Sequence, residues 1–189
     1  MTAAMALGLG AALLSCVHPR IELGPDPDLE KKTVVRRSLI PGAGNGTFAL
    51  VKIQKGEVIG EYGGVLLVEK DVPKNTAYLV RLPACAQVEG QRYHWLDGKG
   101  SRAHVTRVNF APSRINGYET KLQNAQIAAV CRRPFIVFTA SRDIQPGEEI
   151  LTSYGTSYDY DPFMKLKNVQ RYFCKRLDID CSKKFTYVP

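Results

Sequence analysis

The chain has 189 residues and carries a formal net charge of +8 at pH 7. This length supports one domain with a hydrophobic core and short flanks, and it excludes two domains of ordinary size. The basic balance fits either an acidic partner or a plain soluble surface, and it does not indicate a fold.

The chain begins with an apolar segment of small side chains, residues 1–17. It lacks the basic start of a secretory signal, and it is too short and glycine-rich for a convincing membrane span. We interpret it as a helical or disordered flank, with an export signal or lipid anchor as the alternative, and expect no integral membrane role. Residues 21–32 are polar and contain Pro25 and Pro27, so we predict a linker that completes an N-terminal flank of residues 1–32.

The domain opens with two predicted strands, residues 33–40 and 47–53, around a loop that contains Gly42, Gly44 and Gly46. The dinucleotide fingerprint has a GxGxxG spacing and opens a helix, whereas this GxGxG precedes a strand. No Lys-Ser/Thr pair follows, so a phosphate loop is excluded as well. What remains is a loop whose glycines let the backbone come close to another group, or a plain hairpin turn.

Short apolar and β-branched runs separated by turns continue through the middle of the chain. We predict strands on both sides of Gly63-Gly64 and at residues 76–82, 93–96, 124–130 and 133–140, with a helical turn at 101–108 and a loop at 113–123.

The last predicted strand, residues 150–154, follows a type II turn that Pro146 and Gly147 favour. It ends on Tyr154, whose phenol either reaches a surface cleft or plugs the rim of the core. A helix is predicted at residues 163–176. Many short strands with little helix and no βαβ alternation predict a mainly β domain.

The cysteines, at positions 16, 85, 131, 174 and 181, are odd in number and form no CxxC pair. No histidine accompanies them at zinc spacing. We predict free thiols and therefore a reducing compartment, with a disulfide or metal role for Cys174 and Cys181 as the lesser alternative.

Four motifs occur in one order along the chain. They are Gly44-Asn45-Gly46-Thr47-Phe48-Ala49, Gly60-Glu61-Tyr62-Gly63-Gly64, Arg107-Val108-Asn109-Phe110-Ala111, and Pro146-Gly147-Glu148-Glu149 running on to Tyr154-Gly155. Their order and spacing resemble the SET domain of protein lysine methyltransferases over residues 33–160. Tyr93, Asp97-Gly98-Lys99 and an Asn without a following His resemble the PR type. The resemblance implies small curved sheets, a C-terminal pseudoknot, few short helices, and a helical C-terminal flank, residues 161–189, without a zinc site.

The resemblance also implies the site, with S-adenosylmethionine on one face, the target lysine on the other, and a channel between them. Gly44, Asn45 and Gly46 would approach the cofactor through their backbone, Asn109 through its side chain and Phe110 through its main chain.

Other positions are implied for the target lysine. Tyr154 would be the catalytic tyrosine, and Tyr62 would line the lysine channel. Ile127 and Thr152 fall where the family tunes methyl number, and neither is a tyrosine, so we expect transfer of more than one methyl. A substrate peptide would add to the edge at residues 76–82. The remaining candidates are Asp159 and Asp161 for basic peptide residues, and Phe163, Tyr172 and Phe173 for closing the pocket.

The function implied by the resemblance is S-adenosylmethionine-dependent methylation of lysine in histone tails, in the nucleus, with nucleosome contact through the basic surface. Asn109-Phe110-Ala111 stands where Asn-His-Ser is usual in the family. That departure favours an alternative, a SET-like module that binds a peptide or chromatin without catalysis. If residues 1–17 are an export signal, the protein would be an effector delivered outside its cell.

Overall fold

The computed structural model describes residues 20–74, 77–86, 93–182 and 184–189, so the N-terminal segment of residues 1–17 lies outside the described residues. The helices are α1 (Pro27–Glu30), α2 (Asp161–Met164) and α3 (Lys167–Leu177), with 3-10 turns at Glu69–Asp71 and His104–Arg107. The strands are β1 (Glu22–Leu23), β2 (Thr33–Arg37), β3 (Asn45–Ala49), β4 (Val58–Glu61), β5 (Gly64–Leu67), β6 (Leu79–Arg81), β7 (Trp95–Asp97), β8 (Asn109–Phe110), β9 (Arg114–Ile115), β10 (Tyr118–Glu119), β11 (Ala125–Ala129), β12 (Ile136–Ala140), β13 (Leu151–Thr152) and β14 (Tyr187–Val188).

These strands form several small sheets, as expected for a mainly β domain. One sheet has the order β1-β5-β7-β6, a second β11-β12-β4, and a third β10-β9-β14. The strands β2 and β3 form an antiparallel pair, and β8 and β13 a parallel one. The predicted fold class is therefore confirmed.

The linker predicted for residues 21–32 is wrong. In that segment β1 pairs with β5, and α1 begins at Pro27 with Asp26 as its cap. Proline suits the first turn of a helix because its missing N–H would have had no partner there, so these prolines start structure rather than prevent it. Glu30 of α1 accepts a hydrogen bond from the His104 N–H at 2.9 Å, which attaches the segment to the domain.

The loop predicted at residues 113–123 contains a hairpin. Asn116 and Gly117 both have positive φ, at 49° and 87°, between β9 and β10. An Asn-Gly pair with positive φ at both residues is a favoured two-residue hairpin turn, and this signal was missed in the sequence. β9 also pairs with β14, which brings the chain's last strand onto this hairpin.

Two hydrophobic clusters meet at β13. Ile150 packs in the first cluster and Leu151 in the second, because consecutive side chains of an extended segment point to opposite sides. The first cluster lies among the sheets and includes Ile53, Ile59, Leu96, Phe138 and Ile144. The second lies between the glycine loop and the C-terminal flank and includes Ile40, Phe110, Ile115, Met164 and Phe173.

The strand β13 is threaded between two other segments of the chain. On one side it pairs in parallel with β8, with Leu151 opposite Asn109. On the other side Asn124 makes two hydrogen bonds to Leu151: its Oδ1 accepts from Leu151 N at 2.8 Å, and its backbone N donates to Leu151 O at 3.0 Å. Asn124 Nδ2 also donates to Glu149 O, just before the strand, at 2.9 Å. This threading is the predicted pseudoknot, and the strand covers Leu151–Thr152 rather than the predicted residues 150–154.

The C-terminal flank contains two helices, α2 and α3, where one helix at residues 163–176 was predicted. Leu166 adopts an extended conformation and separates them. Asp178, with φ of 54°, ends α3 and lets the chain turn back toward it.

The prediction of free thiols is wrong for four cysteines. Disulfides join Cys85 to Cys131 and Cys174 to Cys181. The first links the segment after β6 to the turn between β11 and β12, and the second links α3 to the tail that follows Asp178. The lesser alternative, a disulfide between Cys174 and Cys181, therefore holds for that pair, whereas the pairing of Cys85 with Cys131 was not predicted because it depends on how distant segments pack. The reducing compartment inferred from free thiols loses its support.

Candidate active site

Asn109, the first residue of β8, joins two of the motifs found in the sequence. Its Nδ2 donates hydrogen bonds to Asn45 O at 3.0 Å and to Glu149 Oε1 at 3.1 Å. Both partners can only accept, so the amide nitrogen must face them, and Oδ1 faces away. Among the described residues none donates a hydrogen bond to that oxygen. The structure thus brings together Asn45 and Asn109, two of the residues predicted to approach the cofactor, and leaves the Asn109 Oδ1 acceptor unoccupied by them.

Glu149 was not among the predicted site residues. Its side chain is 6% exposed and also accepts hydrogen bonds from Ser38 Oγ at 2.6 Å and from Leu39 N at 2.9 Å. A buried carboxylate requires such donors, and here they hold the glycine loop against the turn before β13. The sequence signal was the Pro-Gly-Glu-Glu turn, but nothing in it separates Glu149 from Glu148, which instead pairs with Arg142 at 3.0 Å.

The two central glycines of the loop are needed for different reasons. Gly44 has a φ of 76° with open space around it, so it serves the turn of the β2–β3 hairpin. A Cβ on Gly46 would collide with Glu149 Oε1 and lie 3.2 Å from Asn109 Nδ2. Both alternatives from the sequence therefore hold, since the loop is a hairpin turn and also allows close approach.

Tyr154 lies just beyond the end of β13, beside Asn109. Its hydroxyl donates a hydrogen bond to Val108 O at 2.7 Å, and Val108 directly precedes Asn109 in the chain. Burial raises the pKa of the Tyr154 phenol, and the nearby phenols of Tyr158 and Tyr62 raise it further. The hydroxyl is therefore a protonated donor at neutral pH. The carbonyl to which it donates belongs to the residue just before Asn109, the predicted cofactor contact.

Tyr62 forms part of a buried aromatic wall. Its hydroxyl donates to Tyr78 O at 2.9 Å, and its ring stacks on Phe138 with centroids 6.2 Å apart. Burial raises the pKa of Tyr62, and the Asp97 carboxylate raises it further. A Cβ on Gly98 would lie 2.7 Å from the Tyr62 ring, so that glycine makes room for the phenol.

The two positions linked to methyl number lie on neighbouring strands. Ile127 on β11 is directly opposite Phe138 on β12, which places it on the same face as the aromatic wall. Thr152 is 1% exposed on β13, opposite Phe110 of β8. The strands β11 and β13 are in contact, so the two positions lie on neighbouring segments of the fold.

Aromatic side chains of the C-terminal flank pack on Phe110. The Phe163 ring lies 5.6 Å from that of Phe110, between centroids, and Tyr154 lies 5.8 Å from it. Tyr172 and Glu149 line a cleft of about 310 Å³. Phe173, the third residue predicted to close the pocket, is fully buried in the second hydrophobic cluster and therefore packs in the core instead.

The predicted substrate edge exists in part. The strand β6 is the outermost member of its sheet, with β7 as its neighbour, while residues 75 and 76 lie outside the described residues. Asp161 is already engaged, since it pairs with Lys165 at 2.8 Å and accepts from the Tyr187 hydroxyl at 2.6 Å.

The described parts of the chain contain no group of three or more His, Cys, Asp and Glu side chains that could hold a metal ion. They also contain no helix that is both long and apolar enough to cross a membrane.

Small sheets, the threaded strand β13 and a tyrosine beside an Asn–glycine corner define this as a SET-type domain. The family model described as SET domain matches residues 44–155. The chain belongs to the SET domain family, and the resemblance recognised in the sequence is confirmed.

Named relatives agree with this assignment. The chain is 31% identical over 135 residues to the N-lysine methyltransferase KMT5A-A of Danio rerio, covering 67% of this chain and 38% of that protein. It is 29% identical over 135 residues to the putative histone-lysine N-methyltransferase PRDM6 of Homo sapiens, covering 69% and 21% respectively. The chain thus spans about two fifths or less of the length of these curated relatives.

Solved structures show the same fold. The methyltransferase domain of human PR domain-containing protein 2 aligns with a TM-score of 0.50 at 21% identity, covering 68% of this chain and 80% of that one. A structure of ctPRC2 in an autoinhibited conformation, bound to S-adenosylmethionine, aligns with a TM-score of 0.51 at 25% identity, covering 74% and 16%.

Proposed function

We propose that this domain is an S-adenosylmethionine-dependent protein-lysine N-methyltransferase, with residues 33–160 as the SET domain and residues 161–189 as a flank that closes the site. One observation carries the proposal. Val108 accepts the Tyr154 hydroxyl while the adjacent Asn109 binds the glycine loop at Asn45, so the catalytic tyrosine and the cofactor corner meet within two consecutive residues.

The residues at the Asn109 corner fit S-adenosylmethionine. Asn109 Oδ1 can accept from the ammonium of the methionine moiety, and the Glu149 carboxylate provides negative charge near a cationic ligand. Phe110 can contact the cofactor through its main chain. Ala111 N donates a hydrogen bond to Thr152 O, so the backbone groups of Ala111 point toward β13, and those of adjacent strand residues point the opposite way. The Phe110 N–H and C=O therefore point away from β13, and replacement of the usual histidine leaves these contacts possible.

The protein's part in the reaction is to align the reacting atoms and to exclude water from the lysine amine. When bound, the cofactor would supply a methyl group on its sulfonium: a neutral lysine amine would attack the methyl carbon in line as the carbon–sulfur bond breaks, leaving a methylated ammonium and S-adenosylhomocysteine. The Tyr154 hydroxyl and Val108 O, 2.7 Å apart, form a polar rim where the methyl group would pass. The Tyr62 ring and Phe138 exclude water from the amine, and desolvation lowers a lysine pKa, which favours the neutral nucleophile. Holding the reacting atoms collinear supplies much of the rate.

We propose histone tails as the substrate class. The tail would bind as an added strand at the edge of β6, and the basic surface of this protein would contact the nucleosome. This rests on the relatives, two of which carry lysine methyltransferase names. Neither Ile127 nor Thr152 can hold a water through a phenol, so the channel should accept an already methylated amine. Mass spectrometry of the product should reveal dimethyl- or trimethyl-lysine, and product that stays monomethylated at long times would contradict this.

The deciding experiment is a methyl-transfer assay on a panel of histones, other proteins and peptides. Wild type should transfer methyl to lysine, and Tyr154→Phe should lose most activity while it still binds S-adenosylhomocysteine. Tyr118→Phe, which alters a phenol that is 63% exposed, is the matched control and should behave as wild type. Failure to bind S-adenosylhomocysteine would instead support a SET-like binding module.

The disulfides favour a second candidate for where the enzyme works. Histone substrates imply the nucleus, where thiols stay reduced, whereas two disulfides favour an oxidising compartment and an exported enzyme. Alkylation of the protein's free thiols under denaturing conditions, directly after acid quenching of its own cell, decides between them. Modified Cys85, Cys131, Cys174 and Cys181 would support the nucleus, and protected cysteines would support export.

A further inference from the structure

Tyr160 is a buried phenol whose hydroxyl binds backbone beside the proposed catalytic tyrosine. It is 3% exposed, and its ring lies 4.6 Å from that of Phe110. Its hydroxyl accepts a hydrogen bond from Tyr154 N at 2.9 Å and donates one to Gly155 O at 2.9 Å. A side chain six residues downstream thus takes both bonds at the point where the chain leaves β13.

Those two bonds set the direction of the backbone at Tyr154. The strand β13 ends at Thr152, and Gly155 has a φ of 84°, so no ladder holds the chain between them. Both bonds are part-buried, and the hydroxyl of the buried Tyr160 makes both of them. Tyr154 is consequently held at two points, by Tyr160 at its N–H and by Val108 O at its hydroxyl.

We propose that Tyr160 is a positioning residue that fixes the Tyr154 phenol for methyl transfer. This inference rests on the proposed methyltransferase function. Tyr160 does not touch the reacting atoms, and its effect passes through the backbone of Tyr154 and Gly155. Because the ring packs on Phe110 independently of the hydroxyl, Tyr160→Phe removes the two hydrogen bonds while it keeps the packing.

The expected effect is on turnover rather than on binding. Loss of two hydrogen bonds that orient a group at the reacting centre should lower kcat about tenfold. The affinity for S-adenosylhomocysteine and the KM for substrate should stay within about twofold, because the Asn109 corner is untouched. A merely structural role would instead lower kcat, cofactor affinity and thermal stability together.

The test compares Tyr160→Phe with Tyr118→Phe and with the double variant Tyr154→Phe/Tyr160→Phe. Tyr118→Phe is the control, since its phenol is 63% exposed on β10, away from the proposed site, and its loss should leave kcat unchanged. If Tyr160 acts through Tyr154, Tyr160→Phe should cause little further loss once Tyr154 is phenylalanine.

Each outcome separates the two proposals. Wild-type kcat in Tyr160→Phe, or fully additive losses in the double variant, overturns the positioning role while a crippled Tyr154→Phe still supports the enzyme. A parallel loss of kcat, S-adenosylhomocysteine affinity and melting temperature in Tyr160→Phe also overturns it. A wild type without transfer activity overturns both.

Discussion

The side-chain amide of Asn109 donates to Glu149 Oε1 at 3.1 Å, across a separation of 40 residues. This bond joins β8, which contains the proposed cofactor contacts Asn109 and Phe110, to the turn that precedes β13. It also fixes which way the amide faces, since its nitrogen must point to the carboxylate and its oxygen must point outward.

Asn109→Ala should therefore weaken cofactor binding. It removes the outward acceptor proposed for the cofactor's ammonium, and a hydrogen bond to a charged group is worth about 1.5–3 kcal/mol, or at least tenfold in affinity. Calorimetric titration with S-adenosylhomocysteine measures it. Asn168→Ala, on the exposed side of α3, is the control and should bind as wild type. Equal affinities in the two variants would refute the role of Asn109.

Glu149→Gln should destabilise the fold, whereas Glu148→Gln should not. The buried Glu149 carboxylate accepts from Ser38, Leu39 and Asn109, and an amide would turn an N–H toward one of these donors, at a cost of about 1–3 kcal/mol. Glu148 forms a partly exposed pair with Arg142, worth about 1 kcal/mol or less. Urea unfolding compares the two. A larger loss from Glu148→Gln would contradict the assignment.

Gly46→Ala should lower stability and impair the site together. The added Cβ would meet Glu149 Oε1, and overpacking of this kind costs about 1–3 kcal/mol. Gly24→Ala is the matched control, because a Cβ there meets nothing within 4 Å. Thermal unfolding of both variants provides the measurement, and a Gly46→Ala melting temperature equal to that of Gly24→Ala would show that the contact is unimportant.

The buried phenols predict a loss of stability at alkaline pH. The pKa values of Tyr62 and Tyr154 are raised by burial above the ordinary value of about 10. Below pH of about 10 both states keep these protons; above it the unfolded chain loses them first, so the free energy of unfolding should fall as pH rises. Denaturant titrations at a series of pH values measure that slope. Tyr62→Phe should make it shallower, and an unchanged slope would show that Tyr62 is not responsible.

The two disulfides should contribute unequally to stability. In the chain-entropy view a longer closed loop stabilises more, so the bond with a sequence separation of 46 should be worth about 4 kcal/mol and the one with a separation of 7 about 2 kcal/mol. The double variants Cys85→Ser/Cys131→Ser and Cys174→Ser/Cys181→Ser test this by urea unfolding. The reverse order of losses would contradict the loop-length argument.

Several features were readable from the sequence because they depend on neighbours in the chain. The turn at Gln145–Glu148 closes with Glu148 N on Gln145 O at 3.1 Å, and Gly147 has a φ of 86°, as Pro146-Gly147 predicts. The strands around Gly63-Gly64 and the helical turn at His104–Arg107 follow from the same local patterns of apolar residues, glycine and proline. The order of four such motifs was enough to recognise the family.

By itself, then, the sequence determined where many of the strands and turns occur, that Pro146-Gly147 forms a turn with positive φ at Gly147, and which family these motifs belong to. Only the tertiary structure decided that Glu149 rather than Glu148 is buried at Asn109, that four cysteines pair, and that the Tyr160 hydroxyl holds Tyr154. The physical reason is that local propensity acts over a few residues only. A buried carboxylate or a disulfide instead finds its partner when segments pack together, either from distant parts of the chain or after a turn reverses the chain direction.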